Sequence, residues 1–473
     1  MIKRIDQRWI AFTLLCLATL MEVLDSTIVN VALPSIRADL HFSAASLAWV
    51  VNAYLLTFGG FLLLGGRLGD IFGQKKLFLI GIAIFTLSSL GCGLAQTPMQ
   101  LLIARAILGL GAAIDAAVSL ALIMNLFSKP KERTRAMGYF GFIAAGGGSL
   151  GVLLGGLLTN SFDWHWNFLI NIPIGIVVFL LSWKLLPDTH VPPKQKELDI
   201  GGAISITASL LLAVYAIVNG QVAGWTSPQT LGLLTLAALL LGVFVWIESR
   251  VRVPLIPLSL FQMKNVVVAN SIGVLWAASM FAWFFLAALY LQLVLHYNPL
   301  QVGLSFLPAN LIMAVFSISI SARLVTKFGI KKPLAIGLFL AGIGLALFVR
   351  APVNGNFMTD VLPSMILLGI GAGAAFNPVF LAAMSDVKES DSGLASGLVN
   401  TSFMMGGALG LAILVSIATA RTTSLLSTGT LPLEALNSGY HVAFLVSGFC
   451  SMLAAIIGWI FLTEPASIPE HTT

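Results

Sequence analysis

One ten-residue segment occurs twice in this chain. Arg67-Leu68-Gly69-Asp70-Ile71-Phe72-Gly73-Gln74-Lys75-Lys76 returns as Arg323-Leu324-Val325-Thr326-Lys327-Phe328-Gly329-Ile330-Lys331-Lys332, with Arg, Leu, Phe, Gly and both lysines in register. Each copy joins two long apolar runs. Such an internal repeat predicts two related halves, and halves of this kind place a shared central site at their interface and rock around it.

The apolar runs identify the solvent. With 58% hydrophobic and 9% charged residues over 473 positions, and a mean hydropathy of +0.97, a soluble domain would have almost no polar surface. A helix needs about 20 apolar residues to cross the hydrocarbon of a bilayer. Fourteen runs meet that length, at roughly 9–32, 47–66, 77–95, 99–126, 137–158, 167–186, 200–219, 230–248, 266–294, 302–322, 333–350, 361–384, 394–418 and 441–462. The expected fold is therefore an all-α integral membrane protein of fourteen transmembrane helices, with both termini on one side.

Short cytoplasmic loops collect Lys and Arg, so the basic residues test this count. With the N terminus inside, twenty-one of the 25 Lys and Arg residues fall on the cytoplasmic side; only Arg37, Arg350 and Arg421 fall outside, and Arg105 lies within a helix. One helix too many or too few would destroy that asymmetry. It also accounts for the net charge of +6 without nucleic acid, because the charge lines one face instead of forming a patch. The expected location is the inner (cytoplasmic) membrane, multi-pass.

The first apolar run contains Glu22 and Asp25 and lacks a clean small-residue cleavage site, so it reads as a retained helix and not a signal peptide. Cys16, Cys92 and Cys450 lie inside predicted helices without metal-ligand spacing. No metal and no cofactor is expected. Helices seven and eight interrupt the symmetry, which divides the chain into a six-helix bundle at 1–186, a two-helix insert with its linkers at 187–250, and a second six-helix bundle at 251–473.

Several segments resemble one family. The stretch from Gly66 to Lys76 is similar to the loop between helices two and three of the major facilitator superfamily, and Leu24-Asp25-Ser26-Thr27-Ile28-Val29-Asn30-Val31-Ala32-Leu33-Pro34 resembles the first-helix signature of its fourteen-helix drug:proton antiporters. Arg105 with Gly109 and Gly111 resembles the fourth-helix motif. Gly147, Gly151, Gly155 and Gly156 resemble the helix-five antiporter motif, and Trp164 to Gly175 resembles the entry to helix six. Gly393 to Leu398 and Gly406 to Gly410 extend the likeness to helix thirteen. There are departures: Val152 replaces the helix-five proline, Ile71 and Gln74 replace arginines, Leu108 stands where Gln is common, and Asp115 stands where a neutral residue is common.

The resemblance implies a proton-coupled exporter of hydrophobic, cationic drugs or antiseptics, working by alternating access as a monomer. Its partners would be protons, the lipid bilayer and a small-molecule substrate. Export of an endogenous metabolite, lipid or siderophore by the same machinery is the alternative, since membership does not fix the substrate. Some related exporters work with a periplasmic adaptor and an outer-membrane channel, partners that the resemblance leaves open. A membrane-embedded enzyme is a distant reading, because the six histidines are scattered.

Chemistry should reside in the ionisable groups at membrane depth: Glu22, Asp25, Arg105 and Asp115, all in the first six helices. An intramembrane charge costs at least about 2.5–3.5 kcal/mol on insertion scales and is a functional candidate by default, the structural reading being a helix-locking ion pair. Glu22 and Asp25, three residues apart, share a helix face and can shift each other's proton affinity. Asp115 lies on about the same face as Arg105, some 15 Å further along by helix rise. The resemblance further implies that Asp25 pairs with Arg105, so Asp25, Glu22 and Arg105 are the expected proton-coupling residues.

Glu22 and Asp115 would supply negative charge for a cation. Trp49, Asn52, Tyr54, Trp276, Trp283 and Asn377 are the expected aromatic and polar complement, because aromatic faces suit cations, although each alone reads equally as packing or as an interfacial anchor. Gly66, Asp70, Gly73, Lys75 and Lys76 form an expected conformational latch at the cytoplasmic ends of helices two and three; the second copy carries Thr326 instead of the acid.

Overall fold

The computed structural model describes residues 7–44, 46–127, 129–187, 198–252, 254–387 and 392–463. Among them all regular structure is helical: α1 (Gln7–Leu40), α2 (Trp49–Phe72), α3 (Gln74–Gly93), α4 (Pro98–Leu126), α5 (Pro130–Ser161), α6 (Trp166–Leu169), α7 (Asn171–Leu185), α8 (Ile200–Ala223), α9 (Pro228–Arg250), α10 (Lys264–Leu289), α11 (Pro299–Val315), α12 (Ser321–Phe328), α13 (Lys331–Leu347), α14 (Leu362–Met384), α15 (Ser392–Ser427) and α16 (Pro432–Phe461). The local signals explain the boundaries. Asn298 and Gln301 form a reciprocal capping box ahead of α11 with Pro299 in its first turn, and Asp199 and Ser227 cap α8 and α9. The break between α2 and α3 falls on Gly73 at φ 94°, and its repeat between α12 and α13 falls on Gly329 at φ 77°, a region that glycine enters without a Cβ penalty.

The helix count departs from expectation. Among the described residues twelve helices, not fourteen, are long and apolar enough to cross a membrane. The other two predicted spans are helical but broken in composition or geometry. Within α5 the described apolar stretch is Leu150–Ser161, and Pro299–Val315 gives way to a π-helical turn at Phe316–Ile320 before α12. Expectations for Lys3, Arg4, Lys194, Lys196 and Lys388, and for the chain termini, lie outside the described residues.

The internal repeat extends from the loops to the packing. In the first half α3 packs on α4, α2 on α4, α1 on α5, and α7 on α1 and α3; in the second, α13 packs on α14, α11 on α14, α10 on α15, and α16 on α10 and α13. The same crossings recur where glycines let backbones approach. Gly81 meets Gly111 as Gly337 meets Gly371, and Gly151 and Gly155 rest on Leu24 and Ile28 as Gly406 and Gly410 rest on Val274 and Ala278. Between halves, α5 packs on α11 and α2 on α15, which is the reciprocity of a pseudo-two-fold axis. The α8–α9 insert breaks that symmetry, because α8, besides packing on α9, lies against α2 and α15. On α9, Leu239 and Trp246 are 62% and 60% exposed; facing hydrocarbon, such surface has no aggregation cost.

The two ends of the bundle differ. Arg67, Lys75, Arg250, Lys264 and Lys331 mark one, the basic end; Arg37, Arg350 and Arg421 mark the other. At the basic end the halves keep separate apolar cores, one around Phe78 and Leu122, the other around Leu338 and Val379. Toward the opposite end one continuous core runs from α1 and α2 through α10, α11 and α15. The halves are thus joined at the opposite end and parted at the basic end.

Asn265, 1% exposed, secures the basic end of the second half. Its side chain donates to Ser385 Oγ, Asp386 Oδ1 and the Thr463 carbonyl, each at 3.0 Å, and accepts from the Thr463 backbone at 3.0 Å. Asn265→Ala should lower stability by about 1–3 kcal/mol, since buried partners lose their bonds. Earlier protease cleavage near residue 463 than in the unchanged protein is the expected readout; an unaltered cleavage pattern would remove the clamp.

Candidate transport site

The parted basic end opens into a cavity of about 640 Å³ between the halves, with Glu22, Tyr54 and Asn377 in its wall. All four intramembrane charges stand at or behind this wall, and the structure sorts them into two pairs. Because α1 and α4 run antiparallel, the order of partners reverses: Asp25 meets Arg105, and Glu22 meets Asp115.

In the first pair Arg105 Nη1 donates to Asp25 Oδ2, and both side chains are 0% exposed. Arg105 Nε also donates to the Val50 carbonyl at 2.9 Å, and its guanidinium lies 4.7 Å from the Tyr54 ring centroid. The fork of Arg105 is held from three sides, by a carboxylate, a carbonyl and a ring face. In the second pair Glu22 and Asp115 are neighbours across the two helices, and Ser119 Oγ donates to Asp115 Oδ1 at 3.2 Å. Glu22 is 7% and Asp115 1% exposed. Glu22 Oε1 and Asp115 Oδ2 have no protein partner.

The remaining expected residues separate. Tyr54 bridges cavity and ion pair. Asn377 donates to the Ser317 carbonyl at 2.8 Å, in the π-helical turn between α11 and α12. Trp49, Asn52, Trp276 and Trp283 do not line this cavity. Trp49 lies 6.4 Å from Tyr215 of the insert, Trp276 fills space between Phe376 and Phe403, and Trp283 packs on Phe284 and Phe306. Asn52 is fully buried with neither amide atom partnered. Sequence reasoning missed Phe58, Phe380, Asn400 and Met404, which complete the wall. Phe58 sits one turn after Tyr54, and Asn400 one turn before Met404, so helical spacing carried the signal.

At the mouth, Asp70 lies 3.8 Å from Arg67 of its own helix with its side chain 54% exposed. It lines a second cleft of about 500 Å³ with Arg252, Ser396 and Gly397. Lys75 is half-buried and Lys76 exposed. In this loop it is Gly69 that needs an absent side chain, since a Cβ there would come within 2.5 Å of Val118 Cγ1, whereas one at Gly66 would meet nothing closer than 3.9 Å.

The opposite end is closed. Gln292 Nε2, in a π-helical turn after α10, donates to the Val31 carbonyl across the halves at 2.9 Å, and Gly156 of α5 abuts the Pro299 backbone of α11. Gln292→Ala should remove about 0.5–1.5 kcal/mol from this closed contact. That corresponds to a roughly 2- to 10-fold shift toward opening at this end, readable as faster thiol labelling of a cysteine placed at Val31; unchanged labelling would show that the bond does not hold the gate.

Comparison with known proteins agrees with this architecture. The Major Facilitator Superfamily profile matches residues 15–411. The chain is 36% identical to the puromycin resistance protein pur8 of Streptomyces alboniger, over 98% of this chain and 93% of that one. It is 38% identical to the cephamycin export protein CmcT of Amycolatopsis lactamdurans, over 87% and 85%. Its fold is similar to that of the xylose transporter XylE from E. coli, with a TM-score of 0.63 over 98% of both chains at 16% identity. The chain belongs to the Major Facilitator Superfamily, and is thereby a membrane transporter and not an enzyme.

Proposed function

We propose that this transporter exports hydrophobic, cationic compounds in exchange for protons by alternating access, as a single chain in the cytoplasmic membrane with its basic end in the cytoplasm. The observation that carries the proposal is the cavity. It is apolar over most of its wall, yet Glu22 stands in that wall with Asp115 buried beside it, while Arg105 is committed to Asp25. A greasy cavity with uncompensated acid favours lipophilic cations. The names of the two relatives, one a resistance protein and one an export protein, support export of drug-like molecules.

The proposed membrane arrangement keeps fourteen crossings. Helix α5 has 32 residues, enough at 1.5 Å per residue for about 48 Å, and the helical run from Pro299 continues through its π-helical turn to Phe328. In the proposed cycle, Asp25 accepts a proton and releases Arg105, and closure of the basic end carries Asp70 toward the start of α15, whose Ser396 and Gly397 share its cleft. There the helix N terminus and Arg67 neutralise it.

The test uses inverted vesicles with a pH gradient read by a dye. Ethidium should dissipate the gradient in vesicles carrying the protein, and Asp25→Asn should abolish that response. Dissipation that persists in Asp25→Asn vesicles would overturn the coupling role of Asp25.

A further inference from the structure

Resting on that reading, we propose that Glu22 and Asp115 hold one proton between them as a carboxyl–carboxylate pair, and that this proton is exchanged for the substrate in addition to the one at Asp25. Two protons would then move inward for each cation exported.

Three observations carry this inference. First, the two acids come from different helices and lie beside one another, both almost fully buried; two carboxylates placed together out of water cannot both stay ionised, so one proton stays with the pair. Second, the pair is almost sealed, yet Glu22 reaches the cavity wall, and one oxygen of each group is unpartnered. Third, among the described residues no ion pair joins a cation to Glu22 or Asp115. Around Tyr54 the two acids share their surroundings with Asp25 and Arg105, and Arg105 already bonds Asp25. Among the described residues the second half contributes uncharged groups to the wall, the polar ones including Asn377, Asn400 and Ser396.

The exchange balances. With the basic end open, a monovalent organic cation entering the cavity replaces the shared proton, which leaves to water at that mouth; the pair keeps its net charge. After the halves switch, the cation departs on the far side and a proton from that side restores the pair. Asp25 loads and unloads its own proton in the same cycle. Like charges held this close bind a proton as a unit, so removing either acid removes the shared site.

The experiment reconstitutes the full chain in proteoliposomes with a fixed pH gradient and a membrane potential clamped by potassium and valinomycin, with ethidium as the probe. Exchange of two protons for one monovalent cation moves net charge, so wild-type ethidium flux should rise with an inside-negative potential on the proton-receiving side. Asp115→Asn removes one of the two acids that meet the cation, so its ethidium flux should fall, and the flux that remains should lose that dependence on potential. Wild-type flux indifferent to potential, or Asp115→Asn flux that keeps the wild-type dependence, would overturn the second proton.

An infrared measurement separates failure of this inference from failure of the exporter reading. The purified protein at neutral pH should show a protonated-carboxyl band that is lost or displaced in both Glu22→Gln and Asp115→Asn. A band untouched by both substitutions refutes the shared proton. A band that behaves as expected in a protein that does not move ethidium supports the pair and counts against the exporter reading alone.

Discussion

Arg105→Met is expected to abolish proton-driven transport and to lower stability by about 3–5 kcal/mol, the cost of leaving one member of a buried ion pair alone. Arg105 and Asp25 have no exposed surface, so water cannot replace the missing partner. The same substitution also frees the Val50 carbonyl. Pairing it with Asp25→Leu should restore most of the stability, because apolar replacements of a buried pair are often neutral; transport should stay absent. Denaturation midpoints in detergent and gradient-driven ethidium flux separate the two effects. A single Arg105→Met variant as stable as the unchanged protein would mean that the pair is not desolvated as described.

Gly155→Val should be nearly as damaging, through geometry instead of charge. A Cβ at 155 would lie 2.6 Å from the Ile28 carbonyl oxygen, and backbone cannot yield as a flexible side chain does. Overpacking of this kind costs about 1–3 kcal/mol or more, and here it would push α1, with Asp25 on it, away from α5. Gly148→Ala is the matched control, since its Cβ would meet only Thr27 Cγ2 at 3.7 Å. Gly156→Ala should act differently again. Its neighbour is Pro299 of the other half at 2.5 Å, so it should loosen the closed end without disturbing the fold of either half. Thermal unfolding should separate Gly155→Val from Gly148→Ala, and thiol accessibility at the closed end should single out Gly156→Ala.

The repeat was legible in the residues themselves, and the contact of Asp25 with Arg105 followed from the family resemblance. What the residues could not fix was which neighbouring helix a given face meets. Glu22 and Asp25 share a broad face of α1, which suggested mutual contact; in the fold α4 passes close enough to give each its own partner, and the helix face alone carries no sign of that. The tryptophans were misleading for a related reason. An aromatic ring in a membrane helix fills space between helices as readily as it faces a cavity, and Trp276 and Trp283 do the former. Asn377 was found because an amide in an apolar helix must find a partner, here a carbonyl in a π-helical turn that no sequence pattern announces. Among the described residues the count of spans is twelve, the two that fall short being the stretch Leu150–Ser161 of α5 and the run from Pro299, which a π-helical turn interrupts.

The insert has a consequence for traffic within the bilayer. A duplicated fold offers two equivalent membrane-facing seams, α2 with α15 and α5 with α11, but α8 covers only the first. A molecule dissolved among the lipid tails therefore faces one seam shuttered by an extra pair of helices and one lined only by the two halves themselves. Two copies of a single design have become a molecule with a front and a back.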